Sequence, residues 1–167
     1  MKLLLLTCVA ALVSIWTLQA QEAYSIKAKI NGYDQEKLYL GYYFGNKQYV
    51  KDSATHDGGW YEFSGEEPLE PGVYLIIMAP DNDFFQFLVT KNEQHLTFTT
   101  YKDDVMGSMR WENAPENRLF YEYLNFIDRQ RIKSEKLEKE LESADTESEK
   151  ERIESERANL ENLVQDY

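Results

Sequence analysis

Apolar and polar residues alternate along much of the first two thirds of the chain. In residues 24–30 the even positions are apolar and the odd positions are polar, which predicts a strand with one face in the core. Residues 37–44 repeat the alternation after an Asn-Gly turn signal, whereas residues 73–79 are apolar throughout, as in a central strand covered on both faces. Turn signals separate about eight such runs at intervals of roughly 8 to 12 residues. We therefore expect residues 21–112 to form an antiparallel β-sandwich or a partly open β-barrel.

The pattern becomes helical at Asn113. Asn113 is a candidate helix N-cap, Pro115 suits the first helical turn, and Glu116 could return a hydrogen bond to the cap. No proline or glycine follows Pro115. Apolar residues at helical spacing in residues 119–127 form a stripe broad enough to dock the first turns against the sheet. The predicted fold class is therefore α+β, with residues 113–167 as a long helix or a helical hairpin.

A break is expected within residues 143–146, where Thr146 and Glu149 form a second capping-box pattern. Beyond it, apolar residues recur at seven-residue spacing and form a narrow helix-helix seam. The seam comprises Ile153, Leu160, Leu163, Val164 and Tyr167. A helical hairpin or short antiparallel coiled coil is favoured over one long solvated helix. Because the seam needs cover from its own hairpin or from another chain, self-association or a protein partner is expected along this arm.

The first 20 residues resemble a secretory signal peptide. Lys2 precedes a mostly apolar stretch, and the small residue Ala20 stands just before Gln21. The apolar run is shorter than the roughly 20 residues that cross a bilayer, so cleavage is favoured over a retained anchor. Cys8 follows too few apolar residues for a lipid-attachment site, and it would leave with the signal. We expect export to the periplasm or cell envelope, with no stable membrane span after cleavage.

Composition narrows the function classes. The chain has 167 residues, with 18 Lys and Arg against 30 Asp and Glu, a formal net charge of −12. Such an acidic surface repels a phosphate backbone, so nucleic-acid binding is not expected. With one cysteine, the chain can form no intrachain disulfide, CxxC pair or thiolate zinc cluster. We expect neither a cofactor nor a metal.

No catalytic constellation stands out. His56 and His95 are the only histidines, and the serines that a triad would need are scattered along the chain. The sequence Asp-Asn-Asp at residues 81–83 opens like a calcium loop, but Gln86 and Asn92 occupy the positions where an EF-hand has glycine and glutamate. We therefore expect that the chain is not an enzyme and has no catalytic residue.

Aromatic residues are the most informative excess, with many of them in the first four predicted strands. Core packing explains most of these rings. The remainder could form an exposed platform for a sugar ring or a partner protein. Tyr39 and Tyr43 oppose Leu38 and Leu40 on their strand, so they are the best candidates for this ligand or partner surface, together with Trp60.

Several segments resemble the N-terminal region of exported thioredoxin-like proteins of anaerobic Gram-negative gut bacteria, often labelled thiol:disulfide interchange or thiol-specific-antioxidant proteins. The similar segments are YSIKAKING (24–32), LYLGYY (38–43), VKDSA (50–54), GVYLI (72–76) and NRLFYEYL (117–124). This resemblance implies a β-rich domain of unknown function followed by a helical connector. In that family a C-terminal thioredoxin fold then carries the CxxC.

The chain departs from that family because it reaches Tyr167 without a CxxC. No redox residue can be carried over, and the chain would be either a fragment or a stand-alone accessory domain. The leading expectation is a non-catalytic exported interaction or accessory module that positions or dimerises a thioredoxin-like domain. The alternative is an envelope module that binds a glycan or another ligand.

Overall fold

The structure, a computed structural model, describes residues 23–166. The predicted signal segment, Cys8 and Tyr167 therefore lie outside the described residues. The strands are β1 (Tyr24–Asn31), β2 (Lys37–Phe44), β3 (Lys47–Thr55), β4 (Tyr61–Gly65), β5 (Gly72–Met78), β6 (Asp83–Val89), β7 (His95–Tyr101) and β8 (Arg110–Glu112). The helices are α1 (Val105–Ser108), α2 (Pro115–Ser143) and α3 (Glu147–Gln165).

The strands form two four-stranded sheets, which confirms the predicted α+β sandwich followed by helices. Sheet A has the order β4-β1-β7-β8, and sheet B has the order β3-β2-β5-β6. Neighbouring strands are antiparallel except β1 and β7, which run parallel from Ser25 opposite His95 to Asn31 opposite Tyr101. Sheet B is built from the chain between these two strands. Alternation within a strand carries no information about the direction of so distant a partner, and the sequence therefore predicted only antiparallel pairs.

The alternation of β1 places its side chains as expected. Ile26 and Ala28 are fully buried between the sheets, while Lys27 points outward and lies 3.0 Å from the Glu62 carboxylate on β4. Leu38 and Leu40 of β2 are likewise fully buried. The core therefore lies between the two sheets, where apolar burial is the main stabilising contribution.

The first turns of α2 close the open side of the sandwich, against the edge strands β6 and β8. Tyr121 packs 5.8 Å from Trp111, and Trp111 packs 4.8 Å from Phe98, measured between ring centroids. The Asn117 side chain donates to the Leu88 carbonyl and accepts from the Leu88 amide, both at 2.8 Å. This amide thus takes the place of a further strand along the edge of β6.

The start of α2 differs from the expected cap at Asn113. Asn113 has a left-handed backbone with φ of 53°, and Ala114 occupies the N-cap position without a side-chain hydrogen bond. Pro115 lies in the first turn as predicted. The Glu116 amide donates to the Glu93 carboxylate at 2.9 Å. The buried Glu93, from the loop before β7, therefore accepts a hydrogen bond from a backbone amide at this helix end. Residue spacing near the start of α2 could not predict this distant partner.

The helical arm is a hairpin, so the alternative of one long solvated helix is wrong. Helix α2 ends at Ser143 and α3 begins at Glu147, as the predicted break requires. The predicted capping box is also present, because Thr146 accepts from the Glu149 amide at 3.3 Å and Glu149 accepts from the Thr146 amide at 3.2 Å. Within residues 23–166, no helix combines the length and apolar character needed to cross a membrane.

Candidate binding face

The outward face of sheet A is polar. Lys27 and Glu62 form an ion pair there, and they flank a groove of about 530 Å³ together with Thr97 and Glu112. Trp60 lines the same groove. Its ring centroid lies 5.8 Å from the Lys29 ammonium, a cation–π distance. Charged side chains of both signs are thus solvated across this face. A face of this kind is stable in water and does not need a partner to cover it.

The outward face of sheet B has a different character, and we call it the aromatic face. Its first row across the sheet is Tyr39, Ile77 and Phe84, which are opposite one another on β2, β5 and β6. Phe84 is 47% exposed, while Tyr39 and Ile77 are half-buried. Val50 on β3 is 61% exposed. Large apolar side chains therefore meet solvent side by side on this face.

The second row of the aromatic face is covered by neighbouring side chains, and its residues Gly41 and Leu75 are buried. Gly41 lies opposite Leu75, and Leu75 lies opposite Gln86. A Cβ on Gly41 would lie 2.8 Å from the Ile77 Cδ1 and 3.3 Å from the Leu75 Cβ. A side chain at residue 41 would therefore meet these neighbours, and the glycine lets the Ile77 side chain pack closely over β2.

Tyr43 organises the third row. Its hydroxyl oxygen accepts from the Gln86 Nε2 at 2.9 Å and from the Gln48 Nε2 at 3.2 Å. Because Gln86 lies on β6, the Tyr43 side chain crosses β5 beside Leu75, which is fully buried. Two donated hydrogen bonds occupy both lone pairs of the phenol oxygen, so its own proton stays available for another acceptor.

A groove of about 380 Å³ crosses the aromatic face. Tyr39, Ile77 and Phe84 line it, with Gln48 towards the β2–β3 hairpin and Asn82 in the turn before β6. Asn82 has a left-handed backbone with φ of 59°, a conformation that asparagine tolerates better than most residues. Tyr49, Val50 and Ala79 complete the lining, so the groove combines three rings, three aliphatic side chains and two amides.

The structure separates the residues that the sequence grouped into one surface. Tyr39 and Tyr43 share the aromatic face, but Trp60 lies on the opposite side of the sandwich, on sheet A. Phe84 and Ile77 were not predicted for this surface. The apolar run of residues 73–79 predicted a strand covered on both faces, whereas Val73 is 38% exposed and Ile77 is half-buried. Because every residue of that run is apolar, no alternation within it marks the exposed face.

The seam residues have different environments. Ile153 and Leu160 are buried against Leu137 of α2. Leu163 and Val164 remain exposed, at 51% and 38%. Tyr167 lies outside the described residues. The hairpin therefore covers the first part of the seam with its own helix.

Another apolar cavity lies between the two helices, beside the exposed end of the seam. It has a volume of about 390 Å³ and is lined by Ile127, Leu160 and Val164, among others. Arg131 and Glu161 also contribute to its lining. This cavity is thus flanked by charged residues, unlike the groove on the aromatic face.

The residues considered for catalysis are dispersed. The His56 ring packs 5.1 Å from the Tyr61 ring, while His95 begins β7 opposite Ser25. Ser108 lies on α1, where its hydroxyl oxygen is 2.9 Å from the Thr100 hydroxyl oxygen. Across residues 23–166, no group of three His, Cys, Asp or Glu side chains is placed to hold a metal ion.

The pKa values of several buried tyrosines in the sandwich are raised above their ordinary value. Burial, with smaller contributions from the nearby Tyr33 and Asp34, raises the pKa of Tyr61 from 10.0 to about 12. Burial also raises the pKa of Tyr121. The Tyr61 hydroxyl donates to the Gln35 carbonyl at 2.6 Å, and the Tyr121 hydroxyl donates to the Gln86 carbonyl at 2.9 Å. These tyrosines serve as neutral structural donors.

The fold and this face define an α+β protein of the β-sandwich class, with a helical extension docked on one side. The chain belongs to the family described as "Domain of unknown function (DUF4369)", whose model matches residues 24–120. The match begins at the first residue of β1 and ends within α2, so it includes all eight strands and the start of α2, up to the residue before Tyr121. Most of the hairpin lies beyond the match. No curated protein and no solved structure matches the chain.

Proposed function

We propose that the protein is a non-catalytic, exported interaction module that binds an envelope component through the aromatic face. The contrast between its two sheets carries this proposal. Sheet A presents charged and hydroxyl groups to solvent, whereas sheet B exposes Val50, Val73 and Phe84 on the same face as Tyr39. Exposed apolar side chains that lie together favour a bound partner, because burying them removes apolar surface from water.

The hairpin has a different part in this proposal. Its buried residues Leu137, Ile153 and Leu160 cover one another, so self-association is not required to shield them. We therefore propose that the hairpin acts as a spacer or connector, in keeping with the resemblance to the region that precedes a thioredoxin fold. The 167 residues contain one cysteine and cannot support dithiol exchange by themselves.

A cosedimentation experiment tests the binding proposal. The purified chain is mixed with the envelope fraction of a Gram-negative bacterium, and the bound protein is measured in the pellet. We expect V50K/F84K to lose binding, because two buried charges would oppose association. The matched control T97K/T99K places the same charges on the outward face of sheet A and should bind like the wild type. A wild-type chain that stays in the supernatant, or two double variants that bind equally, would contradict the proposal.

Export and the absence of redox activity have separate tests. N-terminal sequencing of the exported protein should begin at Gln21 if the signal is cleaved as proposed. Full-length protein in the cytoplasm would contradict export. An insulin-reduction assay should show no turnover by the chain, and turnover above the buffer control would contradict the non-catalytic assignment.

A further inference from the structure

The groove on the aromatic face has the chemistry of a site for a neutral saccharide, and we propose that it binds one; this inference rests on the proposed function. Its volume of about 380 Å³ lies within the range of roughly 300–1,000 Å³ that is usual for small-molecule sites. Such sites are mostly apolar, with a few polar groups that orient the ligand. Tyr39 and Phe84 provide rings, while Gln48 and Asn82 provide amides.

The position of the rings suits the apolar face of a sugar. Tyr39 and Phe84 lie on β2 and β6, with Ile77 of β5 between them in the same row. The backbones of the outer two strands are therefore about 10 Å apart. A pyranose presents C–H groups on its ring face, which can pack against Ile77 and both aromatic side chains through dispersion contacts.

Polar atoms at the margins can bind sugar hydroxyl groups. The Gln48 Nε2 already donates to Tyr43, so its carbonyl oxygen remains as an acceptor. The Tyr43 hydroxyl accepts two hydrogen bonds and keeps its proton for a third partner. Asn82 offers a donor and an acceptor from the opposite end of the groove. Sugar hydroxyl groups both donate and accept, and this mixed set matches them.

The charge of the groove favours a neutral ligand. None of the eight residues that line the groove is an acidic or basic residue, so the groove carries no charge at neutral pH. The chain as a whole has a net charge of −12, which disfavours an anionic ligand. The groove on sheet A, by contrast, is lined by Lys27, Glu62 and Glu112. An uncharged polar ligand with an apolar ring face therefore fits the aromatic face and not the opposite one.

NMR titration of the ¹⁵N-labelled chain tests this inference with maltotriose, cellotriose and chitotriose as separate probes. We expect at least one trisaccharide to shift the side-chain amide signals of Gln48 and Asn82 in a saturable manner. Phe84→Ala should raise the dissociation constant about fivefold, because the contact between the ring and the sugar is lost. Phe44→Ala is the matched control, because Phe44 is 73% exposed at the end of β2 and does not line the groove.

Three outcomes would overturn the saccharide proposal. The first is that none of the three probes shifts the two amides, and the second is that Phe84→Ala binds as well as the wild type. The third is concentration-dependent dimerisation that Phe84→Ala abolishes, which would identify a second copy as the occupant. If V50K/F84K still loses envelope binding while all three sugars are silent, the interaction module stands and the saccharide does not.

Discussion

The sandwich and the hairpin are held together by different kinds of contact. Large side chains from strands far apart in sequence fill the sandwich, where Phe98 and Leu96 of β7 lie against Ile26 of β1. The hairpin core has three buried residues, Leu137, Ile153 and Leu160, with Leu141 and Ala144 packed against them. The hairpin also has ion pairs on solvated surfaces, and such pairs contribute little. The sandwich should therefore be the stable unit and the hairpin the marginal one.

The same difference appears where each long helix begins. The first turn of α2 is bound by Glu93, which lies 23 residues before Glu116 in the chain. The first turn of α3 is bound by Thr146 and Glu149 within its own capping box. One helix end thus depends on the folded sheet, whereas the other is specified locally. This distinction predicts which perturbations spread through the molecule and which remain local.

The largest effect is expected from Asn117→Ala. This change leaves the amide and carbonyl of Leu88 without their side-chain partner and removes a 3.2 Å hydrogen bond to the buried Glu93. We expect a loss of about 3 kcal/mol from the free energy of unfolding of the sandwich. Urea denaturation measures it. The control Asn125→Ala, on the same helix, should cost less than about 1 kcal/mol, and equal losses would contradict the role of Asn117.

A smaller and local effect is expected from Leu160→Ala. Leu160 is 6% exposed in the hairpin core, so truncation should destabilise the hairpin by about 2 to 3 kcal/mol. Hydrogen exchange should then increase along α3 and remain unchanged in β1 and β7. Leu163 is 51% exposed on the same helix, and Leu163→Ala should change exchange little. Faster exchange throughout the sandwich would show that the two regions are not separable.

Alkaline pH should destabilise the sandwich selectively. The raised pKa of Tyr61 means that its protonated form is favoured in the folded state, so its contribution is complete below pH 10.0 and is lost as pH rises towards about 12. The raised pKa of Tyr121 acts in the same direction. The urea midpoint should fall across this interval. Tyr61→Phe should reduce the dependence, while Tyr101→Phe, at a residue that is 60% exposed, should leave it unchanged. A pH-independent midpoint would contradict this assignment.

The smallest effect concerns the capping box. Thr146→Ala removes the side-chain acceptor for the Glu149 amide and should cost about 1 kcal/mol, seen as faster hydrogen exchange in the first turn of α3. The hydrogen bonds with Thr146 lower the pKa of Glu149 below its ordinary value of 4.5. The contribution of this carboxylate is therefore present above that value and is lost as pH falls below it. Glu149→Gln should flatten the acid dependence, and an unchanged acid limb would contradict this role.

The limits of prediction from the sequence follow the same division. The bounds of β2, the break after Ser143 and the Thr146 capping box depend on residues close in sequence, and all three were predicted. The parallel pairing of β1 and β7 and the role of Asn117 depend on contacts between distant segments, which local patterns do not encode. Asn113 met the local criteria for a cap, but its left-handed backbone and Glu93 replaced that role.

Only part of the aromatic face could be predicted from the sequence, for the same reason. Alternation along β2 placed Tyr39 and Tyr43 on the side opposite Leu38 and Leu40. Their neighbours Ile77 and Phe84 come from β5 and β6, and the row forms only when those strands pair in the observed register. Trp60 satisfied the composition argument equally well, yet strand order placed it on sheet A. Single-strand patterns therefore identified faces but could not tell which faces meet.

The parallel pairing of β1 and β7 also determines the order in which the chain can fold. Ser25 opposes His95, so the central pair of sheet A closes a loop of about 70 residues, and this closure is slow and entropically costly. Helix α3 and the end of α2 need only each other and can associate within microseconds once nucleated. In a nascent chain that has not yet reached Tyr101, β1 can pair with β4 but has an unpaired edge on the side where β7 belongs. Synthesis of β7 is therefore the step that covers this edge and lowers the risk of aggregation during translation.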